Sequence, residues 1–197
     1  MLSLESAKKL ITLGRRAIAD TLEGGDIQPE PLLKGKYGAR RGVFTTLLTH
    51  PEEELRGCVG FPLPHLPLWK AVVRSAVSAA FRDPRFPPLR AEELGRVVME
   101  LSVLSEPEEL RENPLPSIRV GVHGILLEIG DRRSLLLPQV ATRYGWDAGE
   151  FLDQLCLKAG LCRGSWREKD VKIYRFRAEV FKEVEPWGEV EKVELPE

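Results

Sequence analysis

The sequence predicts an α+β fold: a mixed, largely antiparallel sheet flanked by helices, arranged as two subdomains around a cleft. Three observations carry this expectation. Apolar residues recur near helical spacing at the N-terminus, at Ala7, Leu10, Ile11, Ala17, Ile18 and Leu22. Strand-like runs stand elsewhere, among them residues 42–49, 55–60 and 97–104. The two patterns are intermixed, without the regular alternation of a doubly wound parallel sheet.

In chain order, Ser3 is placed to cap the first helix and Gly24-Gly25 to stop it. The next loop carries Lys34, Lys36, Arg40 and Arg41, the densest basic cluster in the chain. Two strands follow, turning at His50-Pro51 and the glutamates after it. Beyond Pro62, Pro64 and Pro67 a second helix runs from about Leu68 to Arg82. Its Val72, Val73, Ala76, Ala79 and Ala80 make a narrow, small-residue face suited to lying close on a sheet. Asp83-Pro84 ends that helix, because a residue before proline avoids the helical region. The strand at 97–104 sets Met99, Leu101 and Val103 on one face. Prolines 107, 114 and 116 then bracket the expected subdomain hinge, near residues 107–116.

Residues 120–129 read as a strand with a glycine interruption, turned by Gly130-Asp131 into a hairpin with residues 134–137. Asp147 and Glu150 form a capping box before a helix that buries Phe151, Leu152, Leu155, Cys156 and Ala159. Across residues 171–184, Tyr174, Phe176, Ala178 and Val180 alternate with Arg175, Arg177 and Glu179, as in one half-exposed strand. The tail after Pro186 is acidic and expected to be loosely held.

Composition narrows the function. With 43% apolar and 30% charged residues, the 197-residue chain is of globular type. Its net charge of −1 argues against a broad electrostatic grip on nucleic acid, which leaves the basic loop as the weakly supported point of contact. There is no apolar run long enough for a membrane helix, so no membrane partner is expected. The three cysteines, Cys58, Cys156 and Cys162, are too few and too odd for a disulfide scaffold, which points to a reducing cytoplasm. Cys156 and Cys162 lack a usual zinc spacing, and no phosphate-binding loop, dinucleotide fingerprint or nucleophile elbow is present. No metal and no cofactor are expected.

The most marked stretch is Leu55-Arg56-Gly57-Cys58-Val59-Gly60. Strand alternation would project Arg56 and Cys58 from one face and Leu55, Gly57 and Val59 from the other. A guanidinium beside a thiol favours the reactive thiolate. Two glycines so close together imply that a backbone or a ligand comes very near.

This stretch, with Asp83-Pro84-Arg85-Phe86-Pro87-Pro88-Leu89, Gly121-Val122-His123-Gly124-Ile125, Leu137-Pro138-Gln139-Val140-Ala141, Trp146-Asp147 and Lys158-Ala159-Gly160, resembles the AMMECR family. The series keeps the family's order from about Leu10 to Phe181, with Val59 where the family usually has isoleucine. The resemblance implies an α+β fold, a single such domain over residues 1–186 with an acidic tail at 187–197, and a cytosolic protein. No activity is generally agreed for the family. Its association with Memo-type proteins and radical-SAM enzymes implies partners of those kinds, in a pathway that modifies RNA or another macromolecule.

Two readings of the marked residues stay open. In the first, the chain is a binding or accessory module. Arg56 offers its fork to an anion or a partner segment, and Asp83 and Arg85 reach the same cleft. In the second it is an enzyme, with Cys58 as nucleophile, Arg56 stabilising the thiolate or oxyanion and His123 as general base. Each residue also has a plain structural account. Cys58 packs as a small apolar group, Arg56 pairs with a carboxylate such as Asp83, His123 bonds to backbone, and Asp83 and Arg85 fasten their loop.

Overall fold

The computed structural model describes residues 2–25 and 35–194. In chain order its elements are α1 (Leu4–Leu22), β1 (Val43–Thr49), β2 (Leu55–Phe61), α2 (Leu68–Phe81), β3 (Val97–Leu104), β4 (Glu108–Leu110), β5 (Gly124–Ile129), β6 (Arg132–Leu136), α3 (Pro138–Tyr144), α4 (Ala148–Lys158), β7 (Lys172–Phe176), β8 (Ala178–Glu183) and β9 (Val190–Val193). The class is α+β, with antiparallel pairing between β1 and β2, β1 and β3, and along both later hairpins. The chain forms two compact units. One is Met1–Leu104 with Glu179–Val193, and the other is centred on Ser105–Ala178.

The first unit holds a five-stranded sheet in the order β2-β1-β3-β8-β9, with α1 and α2 packed on one face. Ser3 caps α1, its Oγ accepting the Ser6 N–H at 3.2 Å. Ala7, Leu10, Ile11 and Ile18 of α1 join Ala71, Val72, Ala76 and Ala79 of α2 in the core. Strand alternation sends Val43 and Leu47 of β1, and Val97, Met99, Leu101 and Val103 of β3, into that core. The intervening Phe44, Thr46, Glu100 and Ser102 are left on the opposite face.

Two devices fasten the helices to the sheet. α2 lies so close on β2 that a Cβ at Gly57 would stand 2.1 Å from the Ala79 carbonyl oxygen; on the opposite face, one at Gly60 would strike the ring of Phe44, its neighbour on β1, at 2.3 Å. The near neighbours implied by the paired glycines are thus a backbone and an aromatic ring. α1 is tied by a fully buried ion pair. Arg15 Nε donates to Glu183 Oε2 at 2.9 Å, the same oxygen accepts the Met99 N–H at 2.7 Å, and Arg15 Nη1 donates to the Leu94 carbonyl at 2.9 Å.

The second unit has a four-stranded sheet, β4-β7-β5-β6. The Asp147–Glu150 capping box opens α4, whose Phe151, Leu152, Leu155 and Cys156 pack with Ile125, Leu127, Trp166 and Ile173. Cys156 is fully buried here, while Cys162 is exposed.

Three expectations differ from this architecture. The alternating run 171–184 is two strands in two sheets, β7 beside β4 and β5, and β8 between β3 and β9. Alternation records the parity of a strand and not its neighbours. Part of the acidic tail is ordered as β9, whose Val190 is buried in the first unit's core and whose Val190 and Val193 pair with Glu183 and Val180 of β8. The expected hinge at 107–116 contains β4 and a 3₁₀ turn at Leu115–Ser117, and the units divide instead after Leu104 and after Ala178. Of the basic loop, Lys34 lies outside the described residues.

Gly57→Ala is expected to lower unfolding stability by about 3 kcal/mol, the upper part of the overpacking range, since backbone must yield. Glu183→Ala, which strands the Arg15 charge, is expected to cost about 3–5 kcal/mol. Urea unfolding of both variants checks these values.

Candidate functional site

β2 is an edge strand, and at Cys58 its backbone N–H and C=O point away from β1 with no strand to pair them. The loop after α2 supplies the partners. Asp83 Oδ2 accepts the Cys58 N–H at 2.8 Å, and Arg85 Nη2 reaches the Cys58 carbonyl at 3.4 Å. Asp83 Oδ1 accepts the Arg85 N–H and Nε–H at 3.1 and 2.9 Å, and Oδ2 accepts from Arg85 Nη2 at 2.7 Å. One buried carboxylate therefore turns a loop and closes a sheet edge. The Arg85 guanidinium foremost, aided by these backbone donors, holds the Asp83 carboxyl far below the usual carboxylate range.

Arg56 does not share this arrangement. The β1–β2 register runs Leu47 to Gly57 and then Leu48 to Leu55, so Arg56 is the extra residue of a β-bulge. The bulge breaks the strict alternation expected from the sequence. The Arg56 fork grips Glu93, Nε to Oε1 at 2.8 Å and Nη2 to Oε2 at 3.1 Å, in the 3₁₀ turn Ala91–Arg96. The carboxylate paired with Arg56 is Glu93 and not Asp83. The guanidiniums of Arg56 and Arg85 both lie near the Phe86 ring, 6.0 and 5.5 Å from its centroid.

The Cys58 side chain is half-buried on the sheet face opposite the helices. Thr46, directly across on β1, donates its hydroxyl to Cys58 Sγ at 3.3 Å. Glu100 stands across from Thr46 on β3, so thiol, hydroxyl and carboxyl form a row over three strands. Burial pushes the Cys58 thiol above its ordinary value, and Glu100 and Asp83 add to the rise. The Thr46 hydrogen bond and Arg85 oppose it. Burial likewise raises the Glu100 carboxyl, with Lys182 opposing and Glu53 adding. The cation acting on this thiol is Arg85, and the net shift runs away from the thiolate that the sequence suggested.

His123 belongs to the second unit. It is 5% exposed, and its Nδ1 accepts the Arg119 N–H at 3.0 Å. Burial, followed by Arg175, Arg177 and Arg119, lowers its pKa. The structure brings Cys58, Asp83 and Arg85 into direct contact, with Arg56 two residues from Cys58 but turned to Glu93. Sequence reasoning missed Thr46, Glu93 and Glu100. Glu100 carried a signal, as the one charged residue inside the apolar strand Val97–Leu104. Among the described residues no three His, Cys, Asp or Glu side chains converge as a metal site.

Because the Asp83 pKa falls on folding, its stabilisation is present above the ordinary aspartate value of about 3.9 and is lost as pH drops through that value toward the folded one. Asp83→Asn is expected to cost about 1.5 kcal/mol at pH 7, a figure moderated by the half-exposed Arg85. The gap to wild type should narrow below pH ~4 in thermal unfolding measured across pH.

Relatives share this sequence along its length, and a solved structure shares the fold. A protein of Aquifex aeolicus is 50% identical over 95% of this chain and 98% of its own length. Protein MJ0810 of Methanocaldococcus jannaschii is 45% identical over 96% of each chain. The crystal structure of the uncharacterized protein PH0010 from Pyrococcus horikoshii, 40% identical, superposes with a TM-score of 0.91 over 98% of this chain and 99% of that one. Among the described residues no helix is long and apolar enough to cross a membrane. The family model AMMECR1 matches residues 11–181, and the chain belongs to that family.

Proposed function

We propose that the chain is a binding module, accessory rather than catalytic, whose site is the β2 edge at Cys58 and whose anion contact is Arg85. One observation carries this reading. Asp83 holds the Arg85 head beside Cys58 while 54% of the Arg85 side chain stays exposed. The Arg56 side chain, by contrast, is only 11% exposed and committed to Glu93. An acidic group of a partner segment would meet a preorganised guanidinium there, with little ordering cost left for it. A thiol pushed toward its protonated form suits a hydrogen-bonding or packing role on this face. The place of the module in a macromolecule-modification pathway, beside Memo-type and radical-SAM partners, rests on the family association.

A second reading keeps Cys58 as nucleophile, and the Cys58–Thr46–Glu100 row favours it. A carboxyl of raised pKa across one strand from a thiol could accept its proton nearer neutral pH. In that reading Arg85 and Glu100 take the supporting roles assigned from sequence to Arg56 and His123.

Crosslinking of the full chain in cell extract separates the two readings. Arg85→Ala is expected to abolish the captured partner, and Cys58→Ser to leave it unchanged. Alkylation by iodoacetamide across pH should find Cys58 slow, with an apparent pKa above the free-thiol value of about 8.5. A Cys58 that reacts fastest of the three thiols, with a midpoint below that value, would replace the binding module by the enzyme.

A further inference from the structure

We propose that the second unit carries an anion site of its own: a cavity at His123 that takes a phosphate monoester between Arg119, Arg177 and the His123 Nε2–H. The cavity measures about 380 Å³ and is lined by Arg119, His123, Arg175, Arg177, Glu106 and Glu108, among others. These charges are not equally available. Arg175 is spent, its Nε and Nη2 holding Glu108 at 2.9 and 3.0 Å and its Nη1 the Ser117 carbonyl at 2.8 Å. With that pair cancelled, two guanidiniums face the single carboxylate of Glu106.

Arg119 and Arg177 are exposed, and among the described residues neither guanidinium has a partner; the bonds these residues make are through the backbone. Two unpaired guanidiniums lining one cavity repel each other, and an anion between them removes that repulsion. His123 is fixed between them in sequence and defined in tautomer. Its Nδ1 accepts the Arg119 N–H at 3.0 Å, so the ring proton resides on Nε2. Burial and the three arginines oppose protonation, with Glu108 acting the other way, and the imidazole serves as a neutral donor. Three donors match the three unesterified oxygens of a phosphate monoester, whereas a diester offers two.

The test follows the histidine side chains of the labelled full chain by NMR during titration with inorganic phosphate, with acetate and dimethyl phosphate in parallel at equal ionic strength. Phosphate is expected to move His123 saturably and to raise its titration midpoint, leaving His50 and His65 in place. Arg119→Ala with Arg177→Ala should weaken that binding at least about tenfold, while the exposed Arg163→Ala has no effect. A response shared by all three histidines, equal binding of acetate or dimethyl phosphate, or an unchanged affinity in the double variant overturns the proposal. Should the double variant fail to fold, the wild-type titration decides the matter by itself.

Discussion

The approach of α2 to β2 at Gly57 sets the geometry of everything around Cys58. With a carbonyl oxygen where a side chain would begin, helix and strand have one available separation. α2 then ends at Phe81, and Asp83 falls level with the outward-facing peptide of Cys58. A wider helix–sheet spacing would carry the carboxylate out of reach. The edge strand would then present an unpaired N–H and C=O, a template for unwanted pairing. The marked hexapeptide and the proline-rich segment after α2 are thus two halves of one device, in which glycine gives proximity and aspartate uses it.

The Arg15–Glu183 pair is the second constraint, of a different kind. A buried ion pair is weak evidence for stability, because desolvation offsets the attraction. Its value here lies in the number of elements it addresses. Glu183 on β8 takes both the α1 guanidinium and the Met99 N–H of β3, and Arg15 also reaches the carbonyl of Leu94 ahead of that strand. An apolar pair of equal volume could fill the space but would accept other registers of β8 against β3. The charges specify one.

Much of the fold was legible because its signals are local. The Ser3 cap, the small face of α2, the parity of β3 and the Asp147–Glu150 box each follow from neighbours in sequence. Information that depends on partners was not legible. Alternation through residues 171–184 is continuous, yet β7 and β8 join different sheets, since nothing in a strand's parity names its neighbours. At the site, the sequence marks Asp83 and Arg85, which lie together beside Cys58, but it does not name the partner of Arg56. A bulge turns on one extra residue in the register with β1, which the isolated strand does not reveal. Thr46 was invisible for the same reason, because it meets Cys58 only across a sheet, and the lone charge of Glu100 in its apolar strand marks that residue without naming Cys58 as a neighbour.

What the geometry does to the thiol bears most directly on function. Arg85 and the Thr46 hydroxyl favour the thiolate, while burial, Glu100 and Asp83 disfavour it, and burial is the largest influence. Glu100 is pushed in the same sense by its own burial. Both groups on this face are therefore biased toward uncharged forms, and the full charges stand around them, on Arg85 and on the Lys182–Glu53 pair. This face thus has a polar, weakly charged floor with the Arg85–Asp83 ion pair at its rim. A nucleophile needs the reverse, a charged sulfur at the centre with its stabilising cation directed at it. Here the two guanidiniums near Cys58 are directed at Asp83 and Glu93 instead.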